Sequence, residues 1–273
     1  DLCGTGGDNK QYLNISTTAS FVVSAAGVKV AKHGNRAVSS NSGSSDLLSA
    51  LGIKLAASQE KHLALLNNYN LTFFFAPLFQ PILKKVAPIR QQLGVRTIFN
   101  LLGPLLNPAR VSYQLLGVAR ADFLKPMAQA LANLGSKKAW LVHGSDGSDE
   151  ITLFGDNQIY QITGSEIINF SLAAKDFGLT NYSASQAKAL QAKDVAYNCQ
   201  AFHNLLAGQK SIYRDTVIAN AAAALLIIDQ VKTLKEARDL AEEMIDSGLA
   251  LKQIEQFKTA TQNKPMLDLI NLL

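Results

Sequence analysis

Asp1–Asp46 reads DLCGTGGDNKQYLNISTTASFVVSAAGVKVAKHGNRAVSSNSGSSD. Three loops of a phosphate-holding kind follow one another here, separated by one helix signal and one strand signal. The first is Gly4-Thr5-Gly6-Gly7-Asp8. Its glycines free the backbone for positive φ, so that successive N–H groups can converge on an anion. Asn9 takes the place a dinucleotide fingerprint gives to glycine, and no Gly-Lys-Ser/Thr follows as in a P-loop. The residues alone leave a plain tight turn open.

The second loop is Asn14-Ile15-Ser16-Thr17. Asn, Ser and Thr cap helices, and the apolar run Ala19–Ala26 continues from them. Gly27 suits a left-handed helix stop. A helix therefore starts near Ser16, with free N–H groups that serve either as a plain capping motif or as an anion site. The third loop follows an apolar strand over Val28–Ala31. It packs Lys32, His33, Asn35 and Arg36 at the head of a Ser- and Gly-rich stretch, and a short helix from Leu47 to Gly52 follows. A flexible linker has no use for those four polar residues.

These motifs resemble the anthranilate phosphoribosyltransferases of tryptophan biosynthesis. GTGGD, NIST and KHGNRAVSSNSGSSD stand in that family's order and spacing, and the likeness runs over nearly the whole chain. It implies an α/β fold of the nucleoside phosphorylase/phosphoribosyltransferase type: a mainly parallel central sheet flanked by helices. It also implies one catalytic domain over 1–273, with 78–110 contributing to a small helical subdomain. Family members carry a helical segment ahead of this point, whereas this sequence opens on Asp1, so the expectation is a chain without it.

Alternating strand and helix signals agree with a parallel sheet. Lys61–Asn68 reads as a helix with His62 on its surface, and Phe73–Ala76 as a buried strand stopped by Pro77. Pro81, Pro88, Pro104 and Pro108 break the apolar 78–108 stretch into short helices. Asp122–Leu134 is helix-like. Lys138–His143 is a buried strand that delivers the loop Gly144–Glu150, and ligands of α/β sheets gather at such strand ends. Ile151–Phe170 suggests short antiparallel strands. The end of the chain reads as helices over Val217–Asp229, Leu234–Ser247 and Leu249–Gln262.

The 273 residues suffice for a full core, and 48% hydrophobic with 17% charged residues is a globular balance. No apolar run approaches the roughly 20 residues of a membrane span. Two cysteines, Cys3 and Cys199, make no disulfide framework, so a cytoplasmic location is expected. The net charge of +5 favours anionic partners. It fits a polyphosphate. Nucleic acid is disfavoured, because the basic residues are dispersed and no aromatics interleave with them.

The reaction implied by the resemblance moves phosphoribose from 5-phosphoribosyl 1-diphosphate (PRPP) to the amine of anthranilate and releases diphosphate. An aromatic amine is already nucleophilic, so no side-chain acid or base is expected. Positioning and electrostatics fall to Lys32, Asn35 and Arg90. The implied PRPP contacts are Gly4, Gly7, Asp8, Tyr12, Asn14, Ile15, Ser16 and Thr17, then Lys32, His33, Gly34, Asn35, Arg36, Ala37, Val38, Ser39, Ser40 and Ser44. Asp8 either accepts a ribose hydroxyl or holds loop N–H groups. His33 serves either as a packing residue or as a contact. Gly4, Asn35 and Arg90 match the anthranilate side, since an Arg binds a carboxylate with two parallel hydrogen bonds. Arg96, His143 and His203 read as structural, structural and surface.

Diphosphate chemistry implies Mg²⁺, two ions by the family's pattern, held by Ser16, Asp149 and Glu150. Without the family, Asp149-Glu150 reads as a solvated charge pair. The partners implied are PRPP, anthranilate and a second copy of the chain in a homodimer, with no nucleic acid and no membrane. Two departures stand out: Gln80 where many members have His, and Asn9 where many have Gly. Pyrimidine nucleoside phosphorylase and a non-catalytic, nucleic-acid-binding relative are the competing readings. The acceptor segment around Arg90 and the intact Lys32 and Asp149-Glu150 count against them.

Overall fold

In the computed structural model the alternating signals become, among the described residues, two sheets with helices packed on them. The structure describes residues 1–35, 43–80, 92 and 97–263. The strands are β1 (Leu2–Gly4), β2 (Val30–Gly34), β3 (Leu71–Phe75), β4 (Tyr113–Gly117), β5 (Lys138–His143), β6 (Asn157–Thr163) and β7 (Glu166–Leu172). The five-stranded sheet runs β1-β4-β5-β6-β7. β1, β4 and β5 are parallel, while β6 and β7 form an antiparallel extension. β2 and β3 pair in parallel as a second, two-stranded sheet.

The α-helices are α1 (Ile15–Ala25), α2 (Ser44–Ala50), α3 (Gln59–Tyr69), α4 (Ala76–Phe79), α5 (Phe99–Leu102), α6 (Leu124–Asn133), α7 (Val195–Leu206), α8 (Ile212–Ile227), α9 (Leu234–Asp246) and α10 (Leu249–Gln262). α8 is the central one: 13 of its 16 residues are buried. A helix that is apolar all round belongs inside the protein. Its alanines, Ala219 and Ala221–Ala224, let α1 and α9 approach closely, because the distance between helix axes follows side-chain size.

Several expectations need correction. The strand expected over Val28–Ala31 starts at Val30 and runs on to Gly34. β4 and α7 are additions to the sequence pattern. β4 sits between β1 and β5, so its Leu115 and Leu116 are buried in the sheet. α7 starts at an Asp194 cap, whose side chain accepts the Tyr197 amide at 2.7 Å. His62 is not on the surface: it is buried, Nδ1 pairs with Thr72 Oγ1 at 2.8 Å, and the ring packs on Phe74 and Phe79. β3 supplies both Thr72 and Phe74, so a polar residue that periodicity puts outside is drawn in by tertiary contact. His203 is half-buried beside Phe202 rather than fully exposed.

Among the described residues, no helix is long and apolar enough to cross a membrane.

Candidate active site

β1 and β4 deliver their carboxyl ends to one place. β1 leads into the first glycine loop, and Thr5 N donates to the Gly117 carbonyl at 2.9 Å where β4 ends. Gly6 and Gly7 take φ of 67° and 75°, and Asn9 takes 61°. The turn thus survives the Asn9 departure, because Asn tolerates the left-handed region. Asp8 Oδ1 accepts the Lys10 amide at 3.1 Å, a bond of the loop-holding kind.

The loop after β5 brings Asp149 and Glu150 onto the other two elements. Gly6 N donates to Asp149 Oδ2 at 2.7 Å. Ser16 N, in the first turn of α1, donates to Glu150 Oε1 at 3.3 Å. The helix is therefore capped from 134 residues away. Asn14 is its N-cap by position, but its side chain makes no capping hydrogen bond, contrary to the sequence reading. A carboxylate at a helix N-terminus answers both the unpaired N–H groups and the positive end of the dipole.

Two glycines make room for this arrangement. A Cβ on Gly4 would lie 2.2 Å from Asp149 Oδ2, and one on Gly117 would lie 1.6 Å from the Asp149 carbonyl oxygen. Tyr12 OH donates to Asp146 Oδ2 at 2.6 Å, tying the segment after the first loop to the same acidic loop.

The electrostatics follow from this crowding. Burial is the largest cause that pushes the Asp149 carboxyl up, to about 7, and the Asp8 charge adds to it. Burial and then the Asp149 charge push Glu150 up to about 8, while Lys32 opposes the shift. Both residues keep part of their surface in water. Lys32 is buried, and its ammonium donates to the Leu2 carbonyl and to Ser16 Oγ, the latter at 3.3 Å. Burial pushes its pKa down, and Glu150 is among the charges that pull it back up. Among the described residues, the acidic group faces the buried Lys32 and the N-terminus of α1.

Other expected site residues are placed less directly. Ile15 and Thr17 are buried, each 1% exposed, and the Ile15 N–H donates to the Leu13 carbonyl at 2.7 Å. His33 is buried. Its Nδ1 pairs with the Gly103 carbonyl at 3.2 Å and its N–H donates to Asp1 Oδ1 at 3.2 Å. The Asn35 carbonyl accepts Ser45 N and Ser44 Oγ, both at 3.3 Å, so the third loop leaves β2 and returns to α2 at one point. A Cβ on Gly34 would meet Ser44 Oγ at 2.4 Å. Arg36, Ala37, Val38, Ser39, Ser40, Arg90 and Arg96 lie outside the described residues.

Sequence reasoning missed the latches on the 103–108 segment. Asn107 Nδ2 donates to Asp1 Oδ2 and to the Ala31 carbonyl, both at 2.8 Å. Gln114 Nε2 donates to the Pro104 carbonyl at 2.9 Å. Gln80 Nε2 donates to the Leu106 carbonyl at 2.7 Å, so the Gln80 departure has a structural occupation. His143 Nδ1 pairs with the Val118 carbonyl at 2.8 Å, which agrees with its structural reading.

A separate cleft of about 510 Å³ is lined in part by Tyr182, Lys210, Arg214, Arg238 and Glu242. Its cations are already paired: Arg214 with Asp246 at 2.8 Å, Lys210 with Asp246 at 3.1 Å and Arg238 with Glu242 at 3.3 Å. It shares no residue with the loops above.

Comparison with known proteins agrees with the geometry. The family described as "Glycosyl transferase family, a/b domain" matches residues 1–251. The chain is 44% identical over 262 residues to the anthranilate phosphoribosyltransferase of Azorhizobium caulinodans, covering 96% of this chain and 75% of that protein. Its structure is similar to the anthranilate phosphoribosyltransferase of Thermus thermophilus, with a TM-score of 0.90, 39% identity and coverage of 96% and 78%. It is also similar to the Saccharomyces cerevisiae enzyme solved in complex with PRPP and Mg, with a TM-score of 0.88, 30% identity and coverage of 96% and 73%.

Proposed function

The chain belongs to the anthranilate phosphoribosyltransferase family, and we propose how its residues divide the work of that reaction. It transfers phosphoribose from PRPP to the amine of anthranilate and releases diphosphate, a step of tryptophan biosynthesis. The observation that carries the assignment of roles is the meeting of Asp149 and Glu150 with the amides of Gly6 and Ser16, beside the buried Lys32.

The donor set fits Mg²⁺. Ser16, Asp149 and Glu150 offer hard oxygen ligands, and burial first, then the neighbouring carboxylate charge, raises both carboxyls. Among the described residues, no group of three His, Cys, Asp or Glu side chains gathers to hold an ion. Mg²⁺ takes few protein ligands and completes its shell with water and phosphate oxygens. When bound, Mg²⁺ neutralises charge on the diphosphate. Two ions are proposed, and Ser16, Asp149 and Glu150 would hold them.

The glycine loop (Gly4, Gly7, Asp8), the α1 start (Tyr12, Asn14, Ile15, Ser16, Thr17) and the third loop (Lys32 to Ser40, with Ser44) are proposed to surround PRPP. Thr17 is proposed to contribute its backbone N–H, whereas the Ile15 N–H already donates to the Leu13 carbonyl at 2.7 Å. Positive charge gathers on the ribose as the diphosphate departs, as in glycoside chemistry. Oriented N–H groups and Lys32 then stabilise the leaving charge without having to reorganise. Gly4, Asn35 and Arg90 are proposed to hold anthranilate with its amine in line, so proximity replaces a general base. The His33, Gln80 and Asn107 bonds hold the neighbouring 103–108 segment against the sheet.

The 78–110 stretch is proposed as part of a helical subdomain within a single catalytic domain. A cytoplasmic homodimer with no nucleic-acid partner completes the reading. The test is anthranilate fluorescence, followed after adding PRPP and Mg²⁺ to the purified chain. A decay that requires both additions is expected. A flat trace from protein verified as folded would overturn the reading.

A further inference from the structure

Helix α8 touches both walls of the site with residues seven apart. Tyr213 OH lies 2.6 Å from Thr18 Oγ1, at the start of α1. Asn220, two helical turns on, meets the acidic loop. A seven-residue spacing puts both side chains on one face of the helix.

Asn220 is an anomaly in its own sequence. It is 1% exposed within a run that is otherwise Ala, Ile and Leu. A buried amide persists only where its hydrogen bonds are met. They are: Oδ1 accepts the Ile151 amide at 3.1 Å, and Nδ2 donates to the Ile151 carbonyl at 2.9 Å and to the Thr216 carbonyl at 2.9 Å. Ile151 follows Glu150 directly. One side chain thus takes both backbone groups of the residue beside the carboxylate. A second clamp works next door, where Asn157 Oδ1 accepts the Thr152 amide and Nδ2 donates to the Thr152 carbonyl, both at 2.9 Å. On the far side, Asp149 is wedged against Gly117.

We propose that Asn220 is a positioning residue for the metal pair: by fixing the backbone of Ile151 from α8, it holds the Glu150 carboxylate at the right distance from Ser16 and Lys32. This rests on the reading of Asp149-Glu150 as the metal pair. Without the clamp, Ile151 keeps its apolar side chain in the core but loses the partners of its N–H and carbonyl, which frees the Glu150 backbone to rotate.

The test measures Mn²⁺ binding to the chain with PRPP present, by loss of the free-ion resonance, alongside urea unfolding. Asn220→Ala is compared with Leu225→Ala, a packing loss on the same helix at a residue that makes no hydrogen bond to Ile151, and with Glu150→Gln. Asn220→Ala is expected to weaken Mn²⁺ binding about tenfold, the usual cost of losing an outer-shell partner, with Leu225→Ala within about twofold of wild type despite its lower stability. If Asn220→Ala binds Mn²⁺ like wild type, or Leu225→Ala loses as much, the positioning role is overturned. If Glu150→Gln also binds like wild type, the metal reading fails and the proposal falls with it. A loss confined to Glu150→Gln overturns the role of Asn220 alone. Should Asn220→Ala not accumulate as folded protein, Asn220→Asp keeps the volume and the acceptor and is read by the same outcomes.

Discussion

The Asp149 carboxylate accepts the Gly6 amide at 2.7 Å, which joins the loop after β5 to the glycine turn after β1. The two residues are 143 positions apart in sequence. The contact exists because β4 lies between β1 and β5 and ends in Gly117, against which the Asp149 backbone rests.

Gly117 is therefore a sensitive position. Gly117→Ala places a methyl group where the Asp149 carbonyl now lies, and backbone cannot swing aside as a flexible side chain does. Overpacking of this kind costs about 1–3 kcal/mol. A lower urea midpoint is expected, together with a turnover loss that excess Mg²⁺ restores only in part. Wild-type values for both would mean that the loop does not depend on this close approach.

Arg90 gives a prediction of substrate selectivity. Arg90→Ala removes the proposed partner of the anthranilate carboxylate and leaves the phosphate loops intact. Steady-state kinetics are expected to show a KM for anthranilate raised far more than that for PRPP. Equal effects on the two would sink the acceptor role.

His62 predicts a pH effect on stability. Burial pushes its pKa below the ordinary 6.5, and its Nε2 has no partner among the described residues. A His held neutral contributes stability that is present above the unfolded value near 6.5 and lost as pH falls below it. His62→Gln keeps a polar partner for Thr72 but cannot take up a proton. The slope of unfolding free energy between pH 6.5 and 5 is expected to be shallower in the variant, as read by urea melts. An unchanged slope would assign the acid sensitivity to other groups.

Much of this was legible in the sequence, for identifiable reasons. Lys138–His143 and Leu249–Gln262 keep their expected boundaries because periodicity agrees with Gly144 after the strand and Gly248 before the helix. The left-handed Gly27 and Asn9 follow from local backbone rules. What escaped was non-local. The Glu150 cap on α1 cannot be read from Asn14-Ile15-Ser16, where a local cap looks sufficient. His62 looks amphipathic until β3 presents Thr72 and Phe74 to it. Asn220 looks like a blemish in an alanine run until Ile151 is seen beside it. β4 is not legible because five residues carry too little period to separate a strand from the proline-broken stretch before it.

The claim at the centre is that Asp149 and Glu150 couple a divalent cation to PRPP at the phosphate loops. Calorimetric titration of PRPP at several Mg²⁺ concentrations tests it most directly, in wild type and in the double variant Asp149→Asn with Glu150→Gln. Wild-type affinity for PRPP should rise with Mg²⁺, and the double variant should bind weakly with that dependence lost. A double variant that keeps both the affinity and its Mg²⁺ dependence would contradict the account.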